Sequence, residues 1–309
     1  MDRAELKQYI RGPIATLPTA MDDECYLDLG RMAELTEWWV ENGVTADRAP
    51  LKVAAAMGEG PDLGDDEWPQ LLRTVVNAAG DDGVVVCGLK CKDTLGTIDD
   101  ARRAQDLGAI GLQIDLPFFH HPTQDDYVRF FTDISDGIDI GIMIYNTHWF
   151  GCESITAETM LRLKDAEHVV AVKWNVAEGQ DYDDMLEFAD IFNVIDNSSQ
   201  PVRCHKNGGA GYIDPMMAIY PAYPLEVWDL CGAEKYDEAQ ALFESVKTPL
   251  REFMARASQR SGGYRVIKGL MAVMGRPVGP PRPPTLPLDD EEMAELRDIV
   301  AGIGWPLPE

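Results

Sequence analysis

Two positions in this 309-residue chain put a reactive group at the end of an apolar run. Val169-Val170-Ala171-Val172 is closed by Lys173 and Trp174, and Ile142-Met143-Ile144 by Tyr145 and Asn146. A lysine drawn into an apolar interior loses the solvation that favours its ammonium. Its pKa falls, and the free amine becomes a nucleophile able to form a Schiff base with a carbonyl. The same placement also suits a structural ion pair, or a lysine whose amine reaches out at the rim. A phenol one strand away is suited to passing a proton to or from the carbinolamine, although a strand tyrosine with a satisfied hydroxyl is the commoner case. A third feature, Gly58-Glu59-Gly60-Pro61-Asp62-Leu63, puts glycines where backbone amides approach a carboxylate closely, or where the chain simply turns.

The elements that must position these groups are read from periodicity. Eight short apolar runs recur: Ile14 to Leu17, Val53 to Ala56, Val84 to Leu89, Gly111 to Leu116, Ile140 to Tyr145, Val169 to Trp174, Phe192 to Ile195 and Gly211 to Ile213. Runs this short and uninterrupted read as strands buried on both faces. Amphipathic stretches lie between them at Leu27 to Asn42, Asp65 to Ala79, Thr97 to Leu107, Asp125 to Ile134, Thr156 to Leu163 and Asp181 to Phe188, several opening on Asp or Thr. Eight strands, six of them followed by a helical stretch, predict a (β/α)₈ TIM barrel over residues 1–230, whose reactive groups sit at the C-terminal strand ends. Helical patterns at Ala233 to Arg256, Tyr264 to Met274 and Asp290 to Ile303 predict a C-terminal extension over 231–309 packed on the barrel. A doubly wound sheet is the alternative, but no G-x-G-x-x-G follows the first strand and no Walker loop occurs.

Composition limits the partners. Hydrophobic residues make up 45% and charged residues 26%, a globular mixture. The 27 lysines and arginines against 53 aspartates and glutamates leave a formal charge of −26. That balance excludes nucleic acid and an anionic membrane surface, both of which need a basic footprint. No run of about 18 apolar residues occurs, and Met1 to Ile10 is too polar for a signal peptide's core, so the expected location is the cytoplasm. Six scattered cysteines predict no disulfide framework, and Cys87 and Cys91 lack a second pair at zinc spacing. Neither a metal nor an organic cofactor is expected.

In this order, the pieces resemble the dihydrodipicolinate synthase and N-acetylneuraminate lyase family of class I Schiff-base barrels, along nearly the whole chain. Met57-Gly58-Glu59-Gly60 with Asp66-Glu67 is similar to the family's glycine-glutamate loop. Leu116-Pro117-Phe118-Phe119 with Pro122-Thr123 is similar to the fourth unit, and Tyr145-Asn146 to the tyrosine-asparagine of strand five. Lys173 matches the Schiff-base lysine, Gly208 to Ile213 the glycine-rich eighth strand, and Lys268 with Gly275-Arg276-Pro277 and Arg282-Pro283-Pro284 the closing helix and its proline-rich exit. The resemblance implies an imine between Lys173 and a 2-oxo acid, often pyruvate. Tyr145 would relay protons, and amides around Met57 and Gly58 would hold the carboxylate. Ala56, Asn146, His148, Trp174 and Ile213 would complete the substrate site, in a homodimer or homotetramer.

Several departures narrow the activity. Ala56 and Met57 stand where the family carries hydroxyls, and Phe118 and Phe119 replace a tyrosine pair that relays protons across a subunit contact. Thr147-His148-Trp149-Phe150-Gly151 offers no arginine for a second carboxylate. These losses argue against dihydrodipicolinate synthase itself. With His120, His121, His148, Trp149 and Trp174, they favour an apolar or aromatic acceptor, and Leu17-Pro18-Thr19 is similar to the branch acting on aryl-substituted 2-oxo acids. The expectation is a Schiff-base-forming lyase of aldolase or hydratase-aldolase type. The alternatives are a dehydratase or deaminase of a sugar-acid or imino-acid substrate, and a non-catalytic ligand-binding barrel.

Overall fold

Eight parallel strands wind into one sheet: β1 (Gly12–Ile14), β2 (Leu51–Val53), β3 (Val85–Gly88), β4 (Gly111–Asp115), β5 (Gly141–Tyr145), β6 (Val169–Trp174), β7 (Asn193–Asp196) and β8 (Gly211–Ile213). Each pairs with its sequence neighbour, and β1 pairs with β8. The remaining seam, β1 to β2, is closed just past β1, where Thr16 bridges Lys52 and the Leu17 amide donates to the Lys52 carbonyl at 2.8 Å. This computed structural model describes all residues except Ala15, His120 and Glu309. The architecture is a (β/α)₈ barrel with helices between the strands and additional C-terminal helices.

Helices begin where side chains satisfy free amides. Asp28 caps Leu29–Glu41, Asp93 caps Thr94–Asp106 by accepting from the Leu95 and Gly96 amides, and Thr123 forms a reciprocal cap with Asp126 for Gln124–Ser135. The sequence pattern started the Thr94–Asp106 helix three residues late, because its first turn carries little apolar periodicity. Tyr182–Glu187 is a tight 3₁₀ segment rather than the expected α-helix. The second strand lies two residues earlier than expected: Ala54 is left-handed, and Ala56–Gly58 already forms a 3₁₀ turn. A short helix at Pro201–Lys206 follows β7 where no pattern was read.

Alternation along each strand separates two environments. Leu112, Ile114, Ile142, Ile144, Val172 and Trp174 face the helices, while Gln113, Asp115, Met143, Tyr145, Ala171 and Lys173 face the barrel axis. The N-terminal end of the barrel is filled by Leu6 and Ile10 packed with Ile14, Val86, Met143, Ala171 and Ile195. The helix Ala222–Gly232 runs across the expected boundary after residue 230. The 26-residue helix Tyr236–Ser261, then Tyr264–Val273 and Asp290–Ile303, share one continuous core with the barrel's outer layer.

A buried ion pair joins this extension to the loop after β2. Glu59, left-handed and 1% exposed, pairs with Lys268 at 2.7 Å and accepts the Arg282 amide at 2.9 Å. Arg282 in turn grips Glu67 at 2.7 and 2.8 Å. Breaking a buried pair leaves an uncompensated charge at a cost of about 3–5 kcal/mol. Glu59→Gln is therefore expected to lower unfolding stability by about that amount in urea titrations, and an unchanged midpoint would mean that the pair is not what holds the loop.

Candidate active site

Lys173 and Tyr145 occupy the last inward positions of β6 and β5 and are register partners. Tyr145 is in turn the partner of Asp115, the last residue of β4. One rung across three strands thus carries a carboxylate, a phenol and an amine. The lysine amine lies over the face of the Tyr145 ring, 3.5 Å from its centroid, so the Lys173 side chain leans across β5 toward β4. Below this rung Lys52, 0% exposed on β2, donates to the side-chain amide oxygen of Gln113 at 2.9 Å. Lys52, Gln113 and Asp115 had no part in the sequence reading. The signal was present, since two polar residues two positions apart inside the run Gly111 to Leu116 must share one face.

Burial sets the protonation states. Lys173 is pushed well below its ordinary pKa, by desolvation first and by the Lys52 charge second, with Asp115 pulling the other way. Its amine is therefore neutral over a wider pH range than that of an exposed lysine. Desolvation lowers Lys52 to about 7 and raises Asp115 to about 6, each opposed by its oppositely charged neighbours. Burial, then Asp115, pushes the Tyr145 phenol up, and a hydrogen bond with Asn197 offsets this in part. The phenol is a proton donor at neutral pH.

Above the rung opens a cavity of about 430 Å³. Lys173, Tyr145 and Asn197 form its floor, Met57, Thr16 and Ile213 one wall, and Phe243, Lys247, Arg251 and Met254 of the helix Tyr236–Ser261 the roof. Lys247 pairs with the buried Asp214 at 2.8 Å, and Arg251 with the half-buried Glu244 at 3.1 Å. A second cavity of about 280 Å³ is lined by Ala56, Gln113, Asp115, Phe118, Phe119 and Phe150. Among the described residues no three His, Cys, Asp or Glu side chains converge to hold a metal, and all six cysteines are free.

The profile of the "Dihydrodipicolinate synthetase family" matches residues 9–303. The chain belongs to this family. A 4-hydroxy-tetrahydrodipicolinate synthase from Acidothermus cellulolyticus is 28% identical over 279 residues, covering 90% of this chain and 88% of that one. A namesake from Heliobacterium modesticaldum is 25% identical, covering 94% and 95%. Among solved structures, a monomeric dihydrodipicolinate synthase variant superposes with a TM-score of 0.85 at 23% identity, covering 96% of this chain and 98% of that one. The chloride-inhibited dihydrodipicolinate synthase from Acinetobacter baumannii, complexed with pyruvate, gives 0.83 at 20%, covering 96% and 99%.

Within this family member the residues expected at the site divide. Lys173, Tyr145, Met57 and Ile213 meet in the first cavity, and Ala56 lines the second. Trp174 does not face the site: one residue past Lys173, it points outward, donates to the Tyr182 carbonyl at 2.9 Å and stacks edge-on against Phe188. Asn146 is outward as well. Its amide nitrogen donates to Ser154 Oγ at 2.9 Å and to the Asn175 carbonyl at 2.7 Å, and its oxygen accepts the Ile155 amide at 3.0 Å, so it staples the β5 loop. His148 lines neither of these cavities: it lies 3.0 Å from the Asn175 side-chain amide and edge-on to Trp149, which in turn packs against Tyr145, and burial lowers its pKa. The Gly58 amide is not free for a carboxylate, because it donates to the Ala55 carbonyl at 2.9 Å, and Thr19 donates to the Gly58 carbonyl at 2.6 Å. His121 follows Phe118 and Phe119 with a left-handed backbone, and His120 lies outside the described residues.

The internal charges make stability depend on pH. The folded Lys52 value of about 7 is below the ordinary 10.5. Between those values the unfolded chain holds a proton that the folded chain has released, so Lys52 makes stability rise with pH across that window. Lys52→Met is expected to be at least as stable at pH 7 and to lose that component of the slope. Melts of both proteins at pH 7, 8.5 and 10 measure it, and parallel curves would contradict the assignment.

Proposed function

We propose that this protein is a class I lyase, which condenses Lys173 with pyruvate or another 2-oxo acid and then makes or breaks a carbon–carbon bond, or adds or removes water, beside the imine. One observation carries the reading: a desolvated lysine amine, in the floor of a cavity, held over the ring of a phenol that retains its proton. The neutral amine attacks the carbonyl carbon and gives a carbinolamine. Protonation of its hydroxyl by Tyr145 lets water leave, and the nitrogen lone pair forms the C=N bond. The iminium then accepts electrons from the adjacent carbon.

For the carboxylate, the backbone amide at Met57, which lines the first cavity, is joined by a side-chain cation. The Gly58 amide is committed and positions 56 and 57 carry no hydroxyl; of the two cations that share the cavity with Lys173, Lys247 and Arg251, we assign the carboxylate to Lys247. Its partner Asp214 is fully buried while Lys247 is not, which leaves the ammonium's other donors open to the cavity. For the acceptor, Phe118, Phe119 and Phe150 around the second cavity support an apolar or aromatic group. A second reading, dehydration or deamination of a sugar-acid or imino-acid, draws support from Asn197, Ser199 and Glu244 around the first cavity.

Borohydride reduction with pyruvate, and separately with an aryl 2-oxo acid, is expected to yield a mass increment mapped to Lys173 and absent from Lys173→Ala. No adduct with either acid would sink the catalytic readings, and an adduct without turnover would favour a binding barrel. Lys247→Ala is expected to need about 10- to 100-fold more acid for half-maximal trapping, the equivalent of a charged hydrogen bond of about 1.5–3 kcal/mol. As for assembly, we propose a dimer or tetramer. Light scattering checks it, and a mass near 34.3 kDa would count against it.

A further inference from the structure

We propose that Asp115 is a second proton-transfer residue of this site, removing the proton from the carbon beside the imine and later giving it to the acceptor's carbonyl oxygen. The proposal rests on the reading of Lys173 as the imine-forming group. Its own basis is the placement of one carboxylate. Asp115 and Lys173 are two strands apart on the same rung, roughly 10 Å between backbones, but the lysine leans over Tyr145 toward β4 and closes much of that gap. The Asp115 side chain also borders the second cavity, together with Ala56 and Phe118. In the proposed imine, the carbon next to the one bound to the lysine nitrogen is turned toward β4, where Asp115 stands.

The other buried carboxylates of the barrel mouth are tied down. Asp196 accepts the Tyr182 hydroxyl and the Ser198 and Gln200 amides, Asp214 holds Lys247 and the Met216 amide, and Glu59 holds Lys268 and the Arg282 amide. No described side chain or amide donates a hydrogen bond to Asp115. A carboxylate removed from water and left unclamped is costly as a structural element, and it is the arrangement a base requires. Of the described residues lining that side, Ala56 and Phe118 carry no acid or base, the Lys90 amine is bound to the Leu63 carbonyl, and burial pushes the Cys91 thiol up, so that it keeps its proton. The charged and titratable groups facing Asp115 are Lys52 from β2, Lys90 and Cys91 after β3, Tyr145 from β5, Cys152 after β5 and Lys173 from β6.

The step balances without a further reactant. The C–H bond beside the iminium breaks and its electrons form C=C, the C=N pair returns to nitrogen, and the carboxylate becomes a carboxylic acid. When the enamine carbon attacks an acceptor carbonyl, that acid delivers the proton to the new alkoxide, and C=N re-forms. Asp115 works as a base only when ionised, and its value of about 6 means that proton abstraction rises with pH through that point.

The test uses the full chain in D₂O with pyruvate, following methyl deuteration by NMR beside borohydride trapping. Asp115→Asn is expected to keep the Lys173 adduct within a few-fold while deuteration falls about 100-fold or more. Asp115→Glu should recover part of the rate, and the wild-type rise near pH 6 should vanish in the Asn variant. If Asp115→Asn destabilises the fold by leaving Lys52 without its counter-charge, the Lys52→Met, Asp115→Asn double variant is used instead. Wild-type exchange and pH profile in a folded Asn variant would overturn the proposal, as would loss of the adduct itself, which would put Asp115 at imine formation. Absence of any adduct in the wild type would instead defeat the reading on which it rests.

Discussion

A lysine amine kept away from water is the constraint on which the rest depends. An exposed amine would be protonated at neutral pH and unreactive, so its surroundings must disfavour the ammonium without removing access to a small acid. The closed barrel supplies the first condition. β1 to β8 exclude water from the axis, and the apolar layer of Ile14, Val86, Met143, Ala171 and Ile195 plugs the end beneath it. The cavity under the helix Tyr236–Ser261 supplies the second. The Tyr145 ring face beneath the amine attracts its charged form, and Asp115 does the same, but desolvation outweighs both.

The interior charges work against the balance of the whole molecule. The chain carries −26, yet Lys52 and Lys173 face the barrel axis, and Lys247 and Arg251 border the cavity above it. Surface carboxylates more than about 8–10 Å away are screened at physiological ionic strength, whereas the interior cations act across a low dielectric. Local charge, rather than net charge, governs an acid that reaches the cavity. Lys52 has a further effect, since its positive charge lowers the affinity of Lys173 for a proton. Asp115 limits that repulsion and so keeps the pair of lysines from destabilising the barrel.

The C-terminal helices belong to the site. Helix Tyr236–Ser261 roofs the first cavity and brings the only cations at its mouth among the described residues, while Glu59, Lys268, Arg282 and Glu67 bind the exit segment to the loop after β2. The glycines of that loop allow this closeness. A Cβ at Gly58 would strike the Leu17 carbonyl, and one at Gly60 the Ala54 carbonyl. The glycine-glutamate pair thus anchors the loop to the extension, and the Gly58 amide serves the turn.

Strand order, the barrel and the positions of Lys173 and Tyr145 were legible in the sequence because they follow from local patterns: short apolar runs, capped helices, and a polar residue ending a run. Alternation alone would also have removed Trp174 and Asn146 from the site, since neighbours along a strand point to opposite faces. What no local pattern contained was the meeting of distant elements. Lys52 reads as one charge before an apolar run, and Lys247 and Arg251 as a solvated helix face. Only closure of the barrel brings Lys52 to Gln113, and only packing of the last helices brings Lys247 above Lys173. Desolvation and charge coupling depend on what surrounds a group in three dimensions, so the sequence by itself determined which amine and phenol stand at the strand ends. The tertiary structure decided their protonation states and which other groups share their cavity.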